Sequence, residues 1–346
     1  MCQKCAATGV DVVVVAVHGS GTSIARQVPG IDVVFPGHSH STMAQQLVTN
    51  EVTGEQVLLT QAGSHARNLS VVDLTLYKER GQWRTTTKSS YLLRARDVVD
   101  DPKVIDAVAS HRTTVVDYVN TPIGSTPVDL SLTQAAYRDV PAIDLINYVQ
   151  ADAITQGIVG TEYENLPVLS ITAPLNASAH VPAGEVSVRD IGALYFYENT
   201  LRGVVLDGTQ VKDYLERAAG YFRQVTSAGP MAPSTVGSGG YCYDVIYGLT
   251  YDIDLSEPSG QRIKDLSYQG APLDPSDEFL VGINNYRHDG GCGYSQVSGQ
   301  PDVYQLSPEI QGLLIQYFEE QPVIDHTIFS GVDWQLTYQG TPIVFQ

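Results

Sequence analysis

Three histidines carry the first chemical signal in the sequence. His18 closes the apolar run VVVVAV, and His38 and His40 stand one residue apart in GHSH, directly after a second apolar run, IDVVFP. Neutral imidazoles held at strand ends are suited to zinc, manganese, iron or cobalt. Layered α/β folds gather such ligands beyond the carboxyl ends of their strands. Any one of the three alone reads as a surface loop residue. Taken together, His18, His38 and His40 point to metal-assisted chemistry.

The elements that must position them read as α/β layers. Residues 10–17, VDVVVVAV, form an uninterrupted β-branched run, expected as a strand buried on both faces. Residues 31–37 repeat the pattern, and the segment between has the length of a crossover helix. QVLLTQAG and NLSVVDLTLY follow as strands of an antiparallel or mixed sheet. From Asp101, an early proline and apolar residues at Val104, Ile105, Val108, Val115 and Val119 predict a helix. The expected organisation is a domain over 1–100, a connecting helix over 101–121 and a second domain over 122–346. In the second, AIDLINYVQADAITQG reads as a helix and LPVLSITAP as a buried strand. Asp207-Gly208 reads as a turn with Thr209 as the N-cap of the next helix, within an α+β arrangement.

Composition limits the partners. The chain has 346 residues, 43% of them hydrophobic and 17% charged, enough for two domains with sizeable cores. A formal net charge of -18 sets the average field against polymeric nucleic acids and anionic membranes. A small anionic substrate stays compatible, because local groups can invert the potential inside a cleft. No stretch is long and apolar enough for a membrane span, and the first residues do not read as a signal peptide. Cys2 and Cys5 form a CxxC with no second ligand pair at zinc-ribbon spacing, which argues against zinc or redox use. Cys242 and Cys292 each sit in a Gly/aromatic loop. They can bridge if the protein is exported, or stay reduced if it is not.

VVVVAVHGSG followed by DVVFPGHSH resembles the last two motifs of the calcineurin-like metallophosphoesterases. LPVLSITAPLNA, the segment 186–222, YDVIYGLTYDID and NNYRHDGGCGY resemble the nucleotide-binding C-terminal domain of the 5'-nucleotidase family. LYFYENTL, YLERAAGYF and NNYR are most similar to its 2',3'-cyclic-nucleotide 2'-phosphodiesterase/3'-nucleotidase branch. The resemblance covers nearly the whole chain. It implies the C-terminal part of a four-layer metallophosphoesterase sandwich, a connecting helix and an α+β nucleotide-binding domain. It also implies two divalent ions, with His18 and His38 serving one and His40 the other, to polarise phosphoryl oxygens and activate water. A monomer in the periplasm or outside the cell, acting on a small nucleotide or nucleoside, completes the expectation.

Within the same resemblance, Tyr286 in NNYR matches the position whose ring stacks on a base, and Tyr241 or Tyr243 in GGYCYD supplies the other face. Asn284, Asn285 and Asp289 are candidates for polar contacts, and Gly290 and Gly291 allow close backbone approach. His65 reads as part of a structural strand turn and His111 as solvent-facing. The family's earlier motifs, Asp-x-His, Gly-Asp-x-x-Asp/Asn and Gly-Asn-His, have no counterpart here. The expectation is therefore an N-terminally truncated chain that binds one ion weakly and is inactive alone. APLNASAHVPAG stands where 5'-nucleotidases carry an arginine-bearing Gly-Gly-x-Arg segment, and Cys292 where many relatives carry an acidic or small residue. The alternatives are a 5'-nucleotidase or nucleotide-sugar hydrolase and, in another class, a non-catalytic nucleoside-binding module.

Overall fold

Two units divide the chain, Met1–Ala109 and Ser110–Gln346. The computed structural model describes residues 9–236 and 239–345, so Cys2 and Cys5 lie outside the described residues.

In the first unit, β1 (Val14–Val17), α1 (Gly21–Gln27), β2 (Val33–Pro36), β3 (Thr42–Thr49) and β4 (Gln56–Ala62) build a sheet of order β1-β2-β4-β3. β1, β2 and β4 run parallel and β3 returns antiparallel to β4. α1 is the expected crossover, burying Ala25 against Ile31, Val34, Val48, Val57 and Leu59. β1 departs from the expectation of a strand buried on both faces. It is an edge strand whose one partner is β2, so its outward residues stay open and Val14 is 54% exposed. β5 (Asn68–Glu79) and β6 (Gln82–Arg94) form a long hairpin. Arg80 and Gly81 turn it with φ of 50° and 90°, the left-handed pair that matches strand twist. α2 (Pro102–Val119) follows, and none of its residues is buried, His111 included. The division between units falls within it.

The second unit opens with β7 (Pro122–Thr126) and β8 (Leu130–Ser131). α3 (Pro141–Gly157) starts on a proline at its first turn and buries Ile143, Leu145, Ile146, Val149 and Ile154 at helical spacing. β9 (Val168–Thr172), β10 (His180–Val181), β11 (Gly184–Ser187) and α4 (Val188–Leu194) lead to β12 (Leu201–Asp207) and α5 (Gly208–Ala219). The cap of α5 falls two residues before the expected Thr209. The Asp207 carboxylate accepts from the Gln210 amide at 2.8 Å, and the Gln210 side chain accepts from the Asp207 amide at 2.9 Å, which satisfies two end donors reciprocally.

β13 (Val245–Tyr247), β14 (Thr250–Asp254), β15 (Ile263–Tyr268), β16 (Ala271–Pro272) and β17 (Glu278–Asn284) follow. α6 (Asn285–His288), α7 (Ile310–Glu320), β18 (Trp334–Tyr338) and β19 (Thr341–Pro342) complete the unit. One sheet runs β12-β17-β9-β13 and another β16-β15-β14-β18-β19. β17, EFLVGIN, is a central strand buried from Phe279 onward, which explains its continuous apolar run. β9 and β17 are parallel, with β12 and β13 antiparallel on the flanks. The starts of β12 and β13 therefore lie beside the carboxyl ends of β17 and β9.

Candidate functional site

The histidine turn follows from register. Val17 pairs with Pro36 at the ends of β1 and β2, so His18 and the GHSH turn leave the sheet together. His18 Nε2 lies 3.1 Å from His38 Nδ1. His40 does not join them: its ring centroid lies 6.5 Å from that of His65. Ser39 faces the sheet, where its hydroxyl accepts from Gln61 Nε2 at 2.9 Å, and that anchors the residue between the two imidazoles. His38 and His40 both take left-handed backbone, φ 69° and 55°, at roughly 1–2 kcal/mol each. Such cost is concentrated at functional turns.

In the second unit, three segments meet at the carboxyl ends of β9 and β17. β17 ends in Asn284, whose Oδ1 accepts from the Arg287 amide at 2.8 Å and caps α6. Asn285 Oδ1 accepts from the Thr200 amide at 3.1 Å, tying the segment before β12 to the start of α6. Both asparagines thus spend acceptor oxygens on the scaffold. Tyr286, Tyr241 and Tyr197 are 43%, 44% and 40% exposed. Partial burial and then the nearby phenols of Tyr241 and Tyr286 raise the pKa of Tyr197, so the three hydroxyls are electrostatic neighbours. Phe196 packs on Tyr197 with centroids 4.0 Å apart.

Glycine sets how two of these rings lie. A Cβ on Gly291 would collide with the Tyr286 ring, and one on Gly239 with the Tyr241 ring. Gly290 takes φ 96°, a left-handed conformation that glycine adopts at little cost. Asp289 is exposed and lies 3.4 Å from His288 Nδ1. Tyr243 is not available to a ligand. It is fully buried, stacked on Tyr221 at 5.1 Å and edge-on to Phe222 and Trp334, so of the GGYCYD pair only Tyr241 reaches the surface.

Beneath the rings, Arg287 pairs with Asp244, and Tyr214 donates to Asp244 Oδ2 at 2.5 Å. The guanidinium also donates to the Tyr241 carbonyl and lies 5.5 Å from the Tyr286 ring centroid. Tyr294 donates to the Cys242 carbonyl at 2.9 Å, and Arg217 to the Cys292 carbonyl at 2.8 Å. Cys242 and Cys292 form a disulfide across 50 residues, which resolves the open alternative of free thiols.

Residues 122–299 match the 5'-nucleotidase C-terminal domain. The chain belongs to the 5'-nucleotidase family. Among the relatives of this 5'-nucleotidase-family chain, the trifunctional nucleotide phosphoesterase protein YfkN of Bacillus subtilis is 30% identical over 99% of the chain and 26% of its own length. A 2',3'-cyclic-nucleotide 2'-phosphodiesterase/3'-nucleotidase of Haemophilus influenzae is 30% identical over 84% of the chain and 50% of its own length. A Staphylococcus aureus structure assigned as a 5'-nucleotidase, in complex with alpha-ketoglutarate, shares the fold with a TM-score of 0.72 at 23% identity, over 95% of this chain and 65% of that one. The chain spans half or less of the length of these two curated relatives.

For a member of the 5'-nucleotidase family, the donor set of the first unit is one-sided. Two imidazoles are hydrogen-bonded to each other, a third stands beside His65, and among the described residues no carboxylate bridges them. Among the described residues, no group of three or more His, Cys, Asp or Glu side chains is placed to hold a metal ion. These donors do not by themselves fit a two-metal centre. Among the described residues, no helix is long and apolar enough to cross a membrane.

Sequence reasoning missed Tyr197 and the buried Arg287–Asp244–Tyr214 group. LYFYENTL carried the Tyr197 signal, three aromatics a few residues before a strand. Asp244 and Arg287 carried none, since their pairing depends on the order of strands.

Proposed function

We propose that the second unit binds a nucleoside or nucleotide base by stacking on Tyr286 and Tyr241, with Tyr197 at the rim. The protein to which this chain belongs then hydrolyses nucleoside phosphoesters. In this reading, 2',3'-cyclic nucleotides and 3'-nucleotides are the substrates, in line with the resemblance to that branch. His18, His38 and His40 are the chain's contribution to a divalent-metal centre, which needs further ligands. The observation that carries the reading is the convergence of exposed tyrosines, two of them lying against glycine, at the carboxyl ends of β9 and β17. Open α/β sheets bind ligands at such ends, and an aromatic face accepts any base. The disulfide accords with an oxidising, periplasmic or extracellular setting.

A second reading is favoured by one observation. Among the described residues, no group of metal ligands accompanies the tyrosines, so in this reading the chain alone acts as a nucleoside-binding module and does not hydrolyse its ligand. Calorimetric titration with adenosine in EDTA tests both parts of the binding claim. Binding that weakens 5-fold or more in Tyr286→Ala is expected, and no detectable binding would remove the claim. Phosphate release from 3'-AMP, 2',3'-cyclic AMP and 5'-AMP with manganese then tests the chemistry. The comparison is between this chain and a hybrid carrying the preceding segment of the Haemophilus influenzae relative. Release from the 3'- and cyclic substrates by the hybrid alone is expected; preference for 5'-AMP would move the assignment to a 5'-nucleotidase.

A further inference from the structure

The open end of the β5–β6 hairpin holds a group of cations that neither the histidine turn nor the tyrosine site uses. Antiparallel register pairs Asn68 with Arg94, and the Ala95 amide donates to the Arg67 carbonyl at 2.9 Å. Arg67, far in sequence from Arg94 and Arg96, is thereby brought to the same place. With His65 and Asn68 they line an open cavity of about 630 Å³, and no carboxylate is among its lining residues. In a chain with 38 acidic and 20 basic residues, such a cavity runs against the average charge.

Among the described residues, only one weak contact opposes this charge. Among the described residues, neither Arg67 nor Arg94 has an ion-pair partner. Arg96 makes only a long 3.6 Å contact to Asp97, with both side chains mostly exposed, a kind of pair worth little. Like charges lining one cavity favour an anion within it. His65 and Ala66 both take left-handed backbone, φ 58° and 51°, and this turn sets His65 beside His40 and starts β5 at the cavity wall. The cavity therefore begins where the histidine turn ends.

We propose that this cavity is a binding site for a multiply charged oxyanion, the phosphate chain of a nucleoside polyphosphate or a free polyphosphate, held by Arg67, Arg94 and Arg96. Guanidinium forks match phosphate oxygens bidentately and keep their charge at any physiological pH. The site requires neither bound metal nor the tyrosine site, and so stands apart from the nucleoside reading.

The test is calorimetric titration of the chain with tripolyphosphate in EDTA at low salt, repeated with the double variant Arg67→Ala/Arg94→Ala. Both side chains are exposed and unpaired, so the variant keeps the wild-type unfolding temperature and adenosine affinity. Saturable binding, at least 10-fold weaker in the variant and weakened by salt, is the expected result. No binding of tripolyphosphate, or equal binding by the variant, overturns the proposal even if adenosine binds as described above. Competition by ATP but not adenosine supports the site and assigns it to a nucleotide's phosphate chain. Binding of tripolyphosphate without competition by ATP supports it as a site for free polyphosphate.

Discussion

Arg287 grips Asp244 through two hydrogen bonds, Nε to Oδ2 at 2.6 Å and Nη2 to Oδ1 at 2.8 Å, with each side chain only 2% exposed. Burial alone would lower the arginine's pKa, but the facing carboxylate overrides it and the group is held above its usual range. Because Arg287 also donates to the Tyr241 carbonyl and lies against Tyr286, the pair joins the supports of both exposed rings. Truncating one partner leaves a buried charge alone, at about 3–5 kcal/mol. Arg287→Ala is expected to lower the unfolding temperature by roughly 10 °C, given about 2–4 °C per kcal/mol in a domain of this size. Arg287→Lys loses much of the same stability, since lysine cannot make the bidentate fork. Urea unfolding that put Arg287→Ala within about 1 kcal/mol of wild type would contradict this account.

The glycines behind the rings make a more selective prediction. Gly291→Ala places a methyl where the Tyr286 ring lies, and Gly239→Ala does the same at Tyr241. Each ring must move, and at Gly291 the Tyr286 carbonyl must shift with it, so each variant should bind adenosine as weakly as the corresponding tyrosine truncation. Loss of one stacking face costs about 1–3 kcal/mol, roughly 5- to 150-fold in affinity. Tyr243→Phe, changed within the core, should bind adenosine normally. Normal binding by Gly291→Ala together with loss in Tyr243→Phe would reverse the assignment of the rings.

The disulfide adds a test of coupling between the two ring-bearing loops. Cys242 follows Tyr241 directly, and Cys292 follows the Gly290-Gly291 turn on which Tyr286 lies. A non-reducing digest should yield the two cysteines in one linked peptide. Cys292→Ser should cost about 2–4 kcal/mol in unfolding free energy and weaken adenosine binding, because the loops are then held without a covalent tie, by the Arg287 group and the hydrogen bonds of Tyr294 and Arg217 to the two cysteine carbonyls. Unchanged affinity in a folded Cys292→Ser protein would confine the bridge to stability.

Much of this was legible locally, and what was not depended on register. The GHSH turn is a short motif whose neighbours are strands, so pattern alone located it. Tyr241 and Tyr243 could not be separated, because an i, i+2 pair on a strand would share a face. The chain instead makes a 3₁₀ turn over Gly240–Cys242, which breaks that parity and sends Tyr243 into the core. Tyr197 reaches Tyr286 only because β12 pairs antiparallel with β17, and the three arginines meet only because β5 and β6 pair as they do. β1 read as doubly buried because its composition is apolar, but its position at the sheet edge is a property of strand order.

A cluster of carboxylates inside the second unit sets its dependence on pH. Asp144 lies on α3, buried beside Asp139, and Asp139 Oδ2 accepts from the Asp333 amide at 2.7 Å. Asp139 Oδ1 and Asp144 Oδ2 have no other partner, so a proton on Asp144 lets it donate to Asp139. Burial, and then the charge of Asp139, push Asp144 up to about 9 and Asp333 up to about 6, from an ordinary 3.8. Raised folded values mean that the native state holds more protons than the unfolded chain above pH 4, so stability falls as pH rises. The contribution is fully present below about pH 4, and it is lost through about 6 and about 9. The unfolding temperature should therefore fall from pH 5 to pH 9. Asp144→Asn keeps the donor to Asp139 without a titrating proton. It should flatten that slope and raise the unfolding temperature at pH 8 by at least about 2 °C. The exposed Asp117→Asn removes one surface charge and should leave the slope as it is. If both variants shift the curve equally, the pH dependence belongs to the net charge of the chain and not to this cluster.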